Sequence, residues 1–179
     1  MFIASTHVEV PGAEYFCHPL FHFEENKFMF VANAKRLTLA GAEKMCATVI
    51  EGATREGLAI CVVVADSGGN VILAKRMDGG RFHTLHSSTT KAICASSNKR
   101  MTTSQGAVGQ SLDTTHAIGL ALAAGPDRWT AMEGGAPIIV DGECIGGVGV
   151  SGGNWQADAD LARAAVESIG ASVQIDAKS

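Results

Sequence analysis

Apolar residues recur at intervals of three and four from Thr38 onward, at Leu39, Ala42, Cys46, Val49, Ile50 and Ala53, before the pattern stops at Gly57. That spacing predicts an amphipathic helix with Thr38 as its cap and Gly57 as its stop. Leu58–Asp66 is a continuous β-branched run, Ser67–Asn70 a polar turn, and Val71–Met77 a second apolar run. Together these predict a β-hairpin whose first strand is buried. A second helix is expected over Ser87–Asn98, capped by Ser87, with Ala92, Ile93 and Ala95 turned inward. After a Gly/Ser/Gln-rich loop, Asp113–Ala124 predicts a third helix, capped by Asp113 and ended by Gly125-Pro126. A second hairpin follows from Pro137–Val140, the turn Asp141–Glu143 and Cys144–Val150. The last helix runs from about Trp155 to Ile169, with Leu161, Ala165 and Ile169 on one stripe and Gly170 as stop.

The order helix, hairpin, helix, helix, hairpin, helix has no βαβ alternation. It predicts an α+β fold, an antiparallel sheet of four or five strands with helices packed on it. Residues 1–36 differ in kind: they hold six of the seven phenylalanines and Tyr15, the only tyrosine. An arm that apolar must cover the domain's own core or a neighbouring subunit, and a strand around Lys27–Val31 is one way to do so. The domain itself is assigned to residues 37–179.

The 179 residues suffice for one domain. Only 18% are charged and the net charge is −4. The low charge content points to surface buried between subunits, hence a homo-oligomer. No run of Lys or Arg supplies a footprint for nucleic acid or an anionic membrane, and both are set aside as partners. Cys17, Cys46, Cys61, Cys94 and Cys144 are odd in number and lack C-x-x-C spacing, so they read as reduced thiols. With no apolar stretch of about 18 residues and no secretory pattern at the N-terminus, the expected location is cytoplasmic.

The second hairpin and its continuation, GGAPIIVDGECIGGVGVSGG followed by WQADADLARAA, resemble the GlcG/HbpS heme-degrading-domain family, also found as the C-terminal domain of PduO proteins. The first hairpin, VVVADSGGNVILAKRMDGG, and the TTKA segment at Thr89–Ala92 agree with it. The resemblance covers roughly residues 37–170. It implies an antiparallel, profilin-like sheet flanked by helices, assembly into dimers or larger rings, and heme or corrinoid-like ligands in some members. Fold alone does not carry function. His83, His86, Trp129 and the segment Glu133-Gly134-Gly135 depart from the general family pattern and mark a subgroup.

Gly147–Gly152 spells G-x-G-x-x-G, but no parallel strand or acidic residue follows at the required distance, so a dinucleotide site is rejected. What remains is the turn Ser151-Gly152-Gly153 at a helix start, whose free N–H groups would suit a carboxylate or a heme propionate, or which simply permits a tight turn. His83 and His86, three residues apart, are candidates for heme ligation, metal binding or acid–base work. Lys91 falls on the family's Lys-Ala position and could meet a ligand carboxylate or act as a base. Glu133 is a candidate general base or metal ligand, and Gly134 and Gly135 after it would let a ligand approach the backbone closely, or all three simply form a turn. Arg81, His116 and Trp129 are candidate ligand contacts, the last by stacking on a flat ring.

Three functions are therefore expected to compete. One is a binding module for heme or a related carboxylate-bearing aromatic. The second is a lyase, isomerase or hydratase of aromatic or hydroxy-acid catabolism that uses His83, His86, Lys91 and Glu133 in one pocket. The third is a structural accessory protein.

Overall fold

The computed structural model describes residues 30–106 and 108–175. The chain divides into two units, residues 1–33 and 34–179, and the second contains every element below. The phenylalanine-rich segment and the strand expected around Lys27–Val31 lie largely outside the described residues.

Helix α1 (Leu39–Arg55) begins where Thr38 was expected to cap it: the Thr38 hydroxyl accepts the Gly41 N–H at 3.2 Å. It turns Ala42, Met45, Cys46, Val49 and Ala53 into the core. Strands β1 (Cys61–Asp66) and β2 (Val71–Arg76) form the first hairpin, and β3 (Gly135–Val140) and β4 (Glu143–Ser151) the second. The sheet order is β2-β1-β4-β3, every pair antiparallel. Strand β1 starts three residues later than its hydrophobic run, because periodic burial ends in ladder pairing only from Cys61, opposite Arg76 and Ser151.

Both sheet edges are protected. The exposed Lys75 and Arg76 charge the β2 edge, a common defence against edge pairing. On the other side, Ser172 exchanges backbone hydrogen bonds of 2.8 and 2.9 Å with Ile139 of β3.

Alternation along the strands sorts the two faces. Val62, Val64, Ile138, Val148 and Val150 face α1 and helix α4 (Trp155–Glu167), joined there by Leu161, Ala162, Ala165 and Val166. Val63 and Ala65 face helix α2 (Phe82–Asn98) and its Ala92. On that second face the middle of β4 offers Gly147 and Gly149, opposite Ala65 and Val63. A Cβ on Gly149 would fall onto the Ser88 carbonyl oxygen and within 2.7 Å of the Ala92 nitrogen, and one on Gly147 would lie 2.9 Å from the Ser96 nitrogen. The glycines of the second hairpin therefore let α2 lie backbone against backbone on the sheet.

Helix α3 (Thr114–Ala124) is capped by Asp113, whose carboxylate accepts the His116 N–H at 2.8 Å, and ends at Gly125 as expected. None of its side chains is buried.

Burial also fixes the state of the thiols. Desolvation pushes the Cys46 thiol up to about 11, the nearby Lys75 charge offsetting it only in part, and burial raises Cys94 as well. Folding thus favours the protonated forms: this contribution to stability is intact below the unfolded thiol value and is lost as pH rises toward about 11. At pH 8, iodoacetamide is expected to leave Cys46 and Cys94 unmodified until denaturant is added, as peptide mass mapping would show; rapid labelling of either in the native protein would contradict this.

Candidate functional site

Helix α2 starts at Phe82, five residues before the expected cap at Ser87. The polar residues that read as loop-forming turn inward instead. The Thr84 hydroxyl donates to the Arg81 carbonyl at 2.7 Å, and the Ser88 hydroxyl donates to Thr84 at 2.7 Å and across to Cys61 of β1 at 3.0 Å. Ser87 is mid-helix, its hydroxyl on the His83 carbonyl. Side-chain bonds of this kind supply the polar groups with partners without breaking the helix.

Because the helix is regular from Phe82, His83 and His86 lie one turn apart on the same face. Both are exposed, and with Phe82, Leu85 and Thr89 they line a shallow, largely apolar depression of about 410 Å³. The Phe82 and His83 rings meet edge to face, centroids 5.7 Å apart, an arrangement favoured by the ring quadrupole. Arg81 is exposed at the same end of the helix, its guanidinium 3.5 Å from the Gly152 carbonyl oxygen.

Lys91 points elsewhere. Five residues after His86, it is rotated by about 140° around the helix. Its ammonium is buried and donates to Val150 O at 2.8 Å and Asp158 Oδ2 at 2.9 Å. The two side chains are 4% and 5% exposed. The other Asp158 oxygen accepts the Gly153 N–H at 3.0 Å. This ion pair ties α2, on one face of the sheet, to α4 on the other. Gly134 lies directly beneath it with φ +105°; a Cβ there would stand 2.9 Å from the Lys91 Nζ. Asp158 was not singled out from the sequence. An acid in the first turn of a helix is an ordinary dipole-favoured residue, and only the fold shows its partner.

The remaining candidates are dispersed. One Glu133 oxygen accepts the Ser104 N–H at 3.2 Å and its hydroxyl at 3.1 Å, anchoring the loop after α2. The Gly135 N–H donates to Thr102 Oγ1 at 2.8 Å. Ser151 is buried as the last residue of β4. At the Ser151–Gly153 turn the Gly153 N–H is spent on Asp158, and the first N–H groups of α4 beyond it on the Asn154 side chain, which accepts from Gln156 and Ala157. His116 is exposed on α3, its Nδ1 3.4 Å from Asp113. Trp129 is half-buried between two other depressions. The single pocket expected for His83, His86, Lys91 and Glu133 is thus not formed. The structure pairs the histidines, places Lys91 and Gly134 with Asp158, and puts Glu133 against Ser104. Among the described residues, no group of three or more His, Cys, Asp or Glu side chains could hold a metal ion.

The arrangement defines an α+β module in which one long helix lies directly on a glycine-bearing hairpin and presents two histidines outward. The family model described as haem degrading protein HbpS-like matches residues 37–167, and the chain belongs to that family. It is 35% identical over 134 residues to an uncharacterized 15.0 kDa protein encoded between dhaT and dhaS in Citrobacter freundii, an alignment covering 73% of this chain and 90% of that one. It resembles the crystal structure of Klebsiella pneumoniae protein ORFY with a TM-score of 0.70 and 36% identity, over 79% of this chain and 95% of the other. The crystal structure of a PduOC:heme complex shares the fold, with a TM-score of 0.70 at 23% identity, over 78% of this chain and 99% of that one.

Proposed function

We propose that the Phe82–Thr89 face of α2 binds a flat, carboxylate-bearing aromatic molecule, heme in the first instance. The observation that carries this reading is the pair of exposed imidazoles one turn apart on an apolar ledge. The donor set suits heme: imidazole is an ordinary axial ligand of heme iron, and Phe82 and Leu85 offer apolar contact to a ring. Heme, when bound, supplies an iron centre able to take His83 or His86 as ligand. The exposed Arg81 guanidinium at the edge of the ledge suits a propionate, better than the Ser151–Gly153 turn, whose Gly153 N–H is already held by Asp158. The family's description and the heme complex sharing this fold point the same way.

The enzyme reading draws less support, since the groups it needs for proton transfer do not converge. The same proposal includes a homo-oligomer and a cytoplasmic location. No helix among the described residues is long and apolar enough to cross a membrane, and Cys46, Cys61, Cys94 and Cys144 are unpaired.

Titration with hemin, followed by its Soret band, tests the assignment. The expected result is saturable binding at one heme per site, weakened at least about tenfold in His83→Ala or His86→Ala, the loss seen even for outer-sphere partners of a metal site. The absence of a saturable shift, or unchanged binding in both variants, would overturn it.

A further inference from the structure

The C-terminal half of α2 faces a cleft that the histidine ledge does not reach. Its volume is about 580 Å³, and it lies between the turn of the first hairpin, residues 93–98 of α2 and the segment after α3. Ser97, on its wall, stands about 16 Å along the helix from His86.

The walls are fastened from within. Asp66 accepts the Gly68 and Asn70 N–H groups at 2.8 and 2.9 Å and the Asn70 Nδ2 at 3.1 Å, which fixes the hairpin turn. Across the cleft, Asn98 Nδ2 donates to the Cys94 sulfur at 3.4 Å, and the Cys94 thiol donates to the Thr130 carbonyl at 3.5 Å, joining α2 to the segment after α3. These bonds also set both amides: with each Nδ2 engaged inside the protein, the Asn70 and Asn98 side-chain oxygens remain as acceptors for a guest. Ser97 and Asp127 add further acceptors, Arg128 brings a cation, and the half-buried Trp129 a flat apolar face. Among the described residues, no carboxylate lies within ion-pair distance of the Arg128 guanidinium.

From this we infer that the cleft is a second ligand site, for a small carboxylate that carries several hydroxyl groups. The carboxylate pairs with Arg128, whose planar fork matches it. Hydroxyl protons go to the Asn70 and Asn98 oxygens and to Asp127, and the C–H side of the carbon chain lies on Trp129. The volume falls within the range of roughly 300–1,000 Å³ usual for small-molecule sites. An apolar guest, whether heme or a phenylalanine-rich stretch such as residues 1–33, would take these polar walls out of water without giving them partners. The site is separate from the α2 ledge and stands independently of the heme reading.

The full chain is titrated with gluconate, glycerate, xylitol and butyrate, followed by calorimetry and by the indole signals of the two tryptophans in a proton–nitrogen correlation spectrum. Gluconate or glycerate is expected to bind saturably and to move the Trp129 signal, while that of Trp155, 65% exposed on α4, stays in place. Xylitol lacks the carboxylate and butyrate the hydroxyls. Each is expected to bind at least about tenfold more weakly, the loss of one charged hydrogen bond or of two neutral ones. Arg128→Gln lowers the affinity for the hydroxy acid by a similar factor. Arg163→Gln, the same change of charge at an exposed position of α4, leaves it unaltered. No saturable binding of either acid, equal binding of xylitol or butyrate, movement of both indole signals alike, or an equal effect of the two arginine variants would overturn the site.

Discussion

Lys91→Met is expected to lower the free energy of unfolding by about 3–5 kcal/mol, the usual cost of stranding one partner of a buried ion pair. The substitution keeps the aliphatic stem and removes the ammonium, leaving the Asp158 carboxylate buried with the Gly153 N–H as its remaining donor. Val150 O also loses the 2.8 Å bond that Lys91 gave it. Asp158→Leu alone should cost a similar amount for the mirror-image reason. The pair behaves differently when removed together: Lys91→Met with Asp158→Leu leaves no uncompensated charge, so the double variant should be clearly more stable than the sum of the single losses implies. Urea denaturation of the four proteins reads this directly. Additive losses would show that the ion pair is not the unit that matters. Because the pair bridges α2 and α4 across the sheet, the single variants also test whether the position of the α2 ledge depends on it.

Gly149→Val is expected to be at least as damaging. The new side chain would project from β4 into the backbone of α2 at Ser88 and Ala92, and neither strand nor helix has a flexible side chain there to yield. Overpacking of an ordinary core costs about 1–3 kcal/mol; here two main chains must separate, so a loss of about 3 kcal/mol or more, or failure to fold, is the outcome. Val148→Ala, one residue away on the opposite face, should be milder and should leave the α2 side undisturbed, at about 1–3 kcal/mol for lost burial and the cavity left behind. If Gly149→Val proved the more stable of the two, α2 would not be seated on the hairpin as described.

Local pattern carried a great deal of this fold. The three-and-four spacing of α1, with Thr38 at its start, and the two apolar hairpins with polar turns are dictated by neighbours within a few residues. An antiparallel sheet of four or five strands was legible from the order of the elements, and the family from the hairpin motifs. The start of α2 was not. Thr84, Ser87 and Ser88 have the composition of a cap or loop, and only the fold places β1 beneath them, where Ser88 donates to the Cys61 carbonyl and Thr84 to the Cys61 thiol. For the same reason Gly134 and Gly135 suggest room for a ligand to approach the backbone, when what packs against them is the protein's own Val150, Lys91 and Thr102.

The candidate site divides along the same line. By itself the sequence determined that His83 and His86 stand three residues apart and that a helix there would align them. It also determined that α3 carries no Asp, Glu, Lys or Arg. Such facts follow from period and residue type. Only the tertiary structure decided that Lys91 is a buried strut rather than a ligand contact. It decided as well that Glu133 serves the 104 loop, that Asp158 matters, and that α3 remains uncovered within its own unit. Those outcomes turn on which residues distant in the chain come within 3 Å of one another, and a lysine's environment is not encoded in its neighbours but in the sheet and helices that close around it.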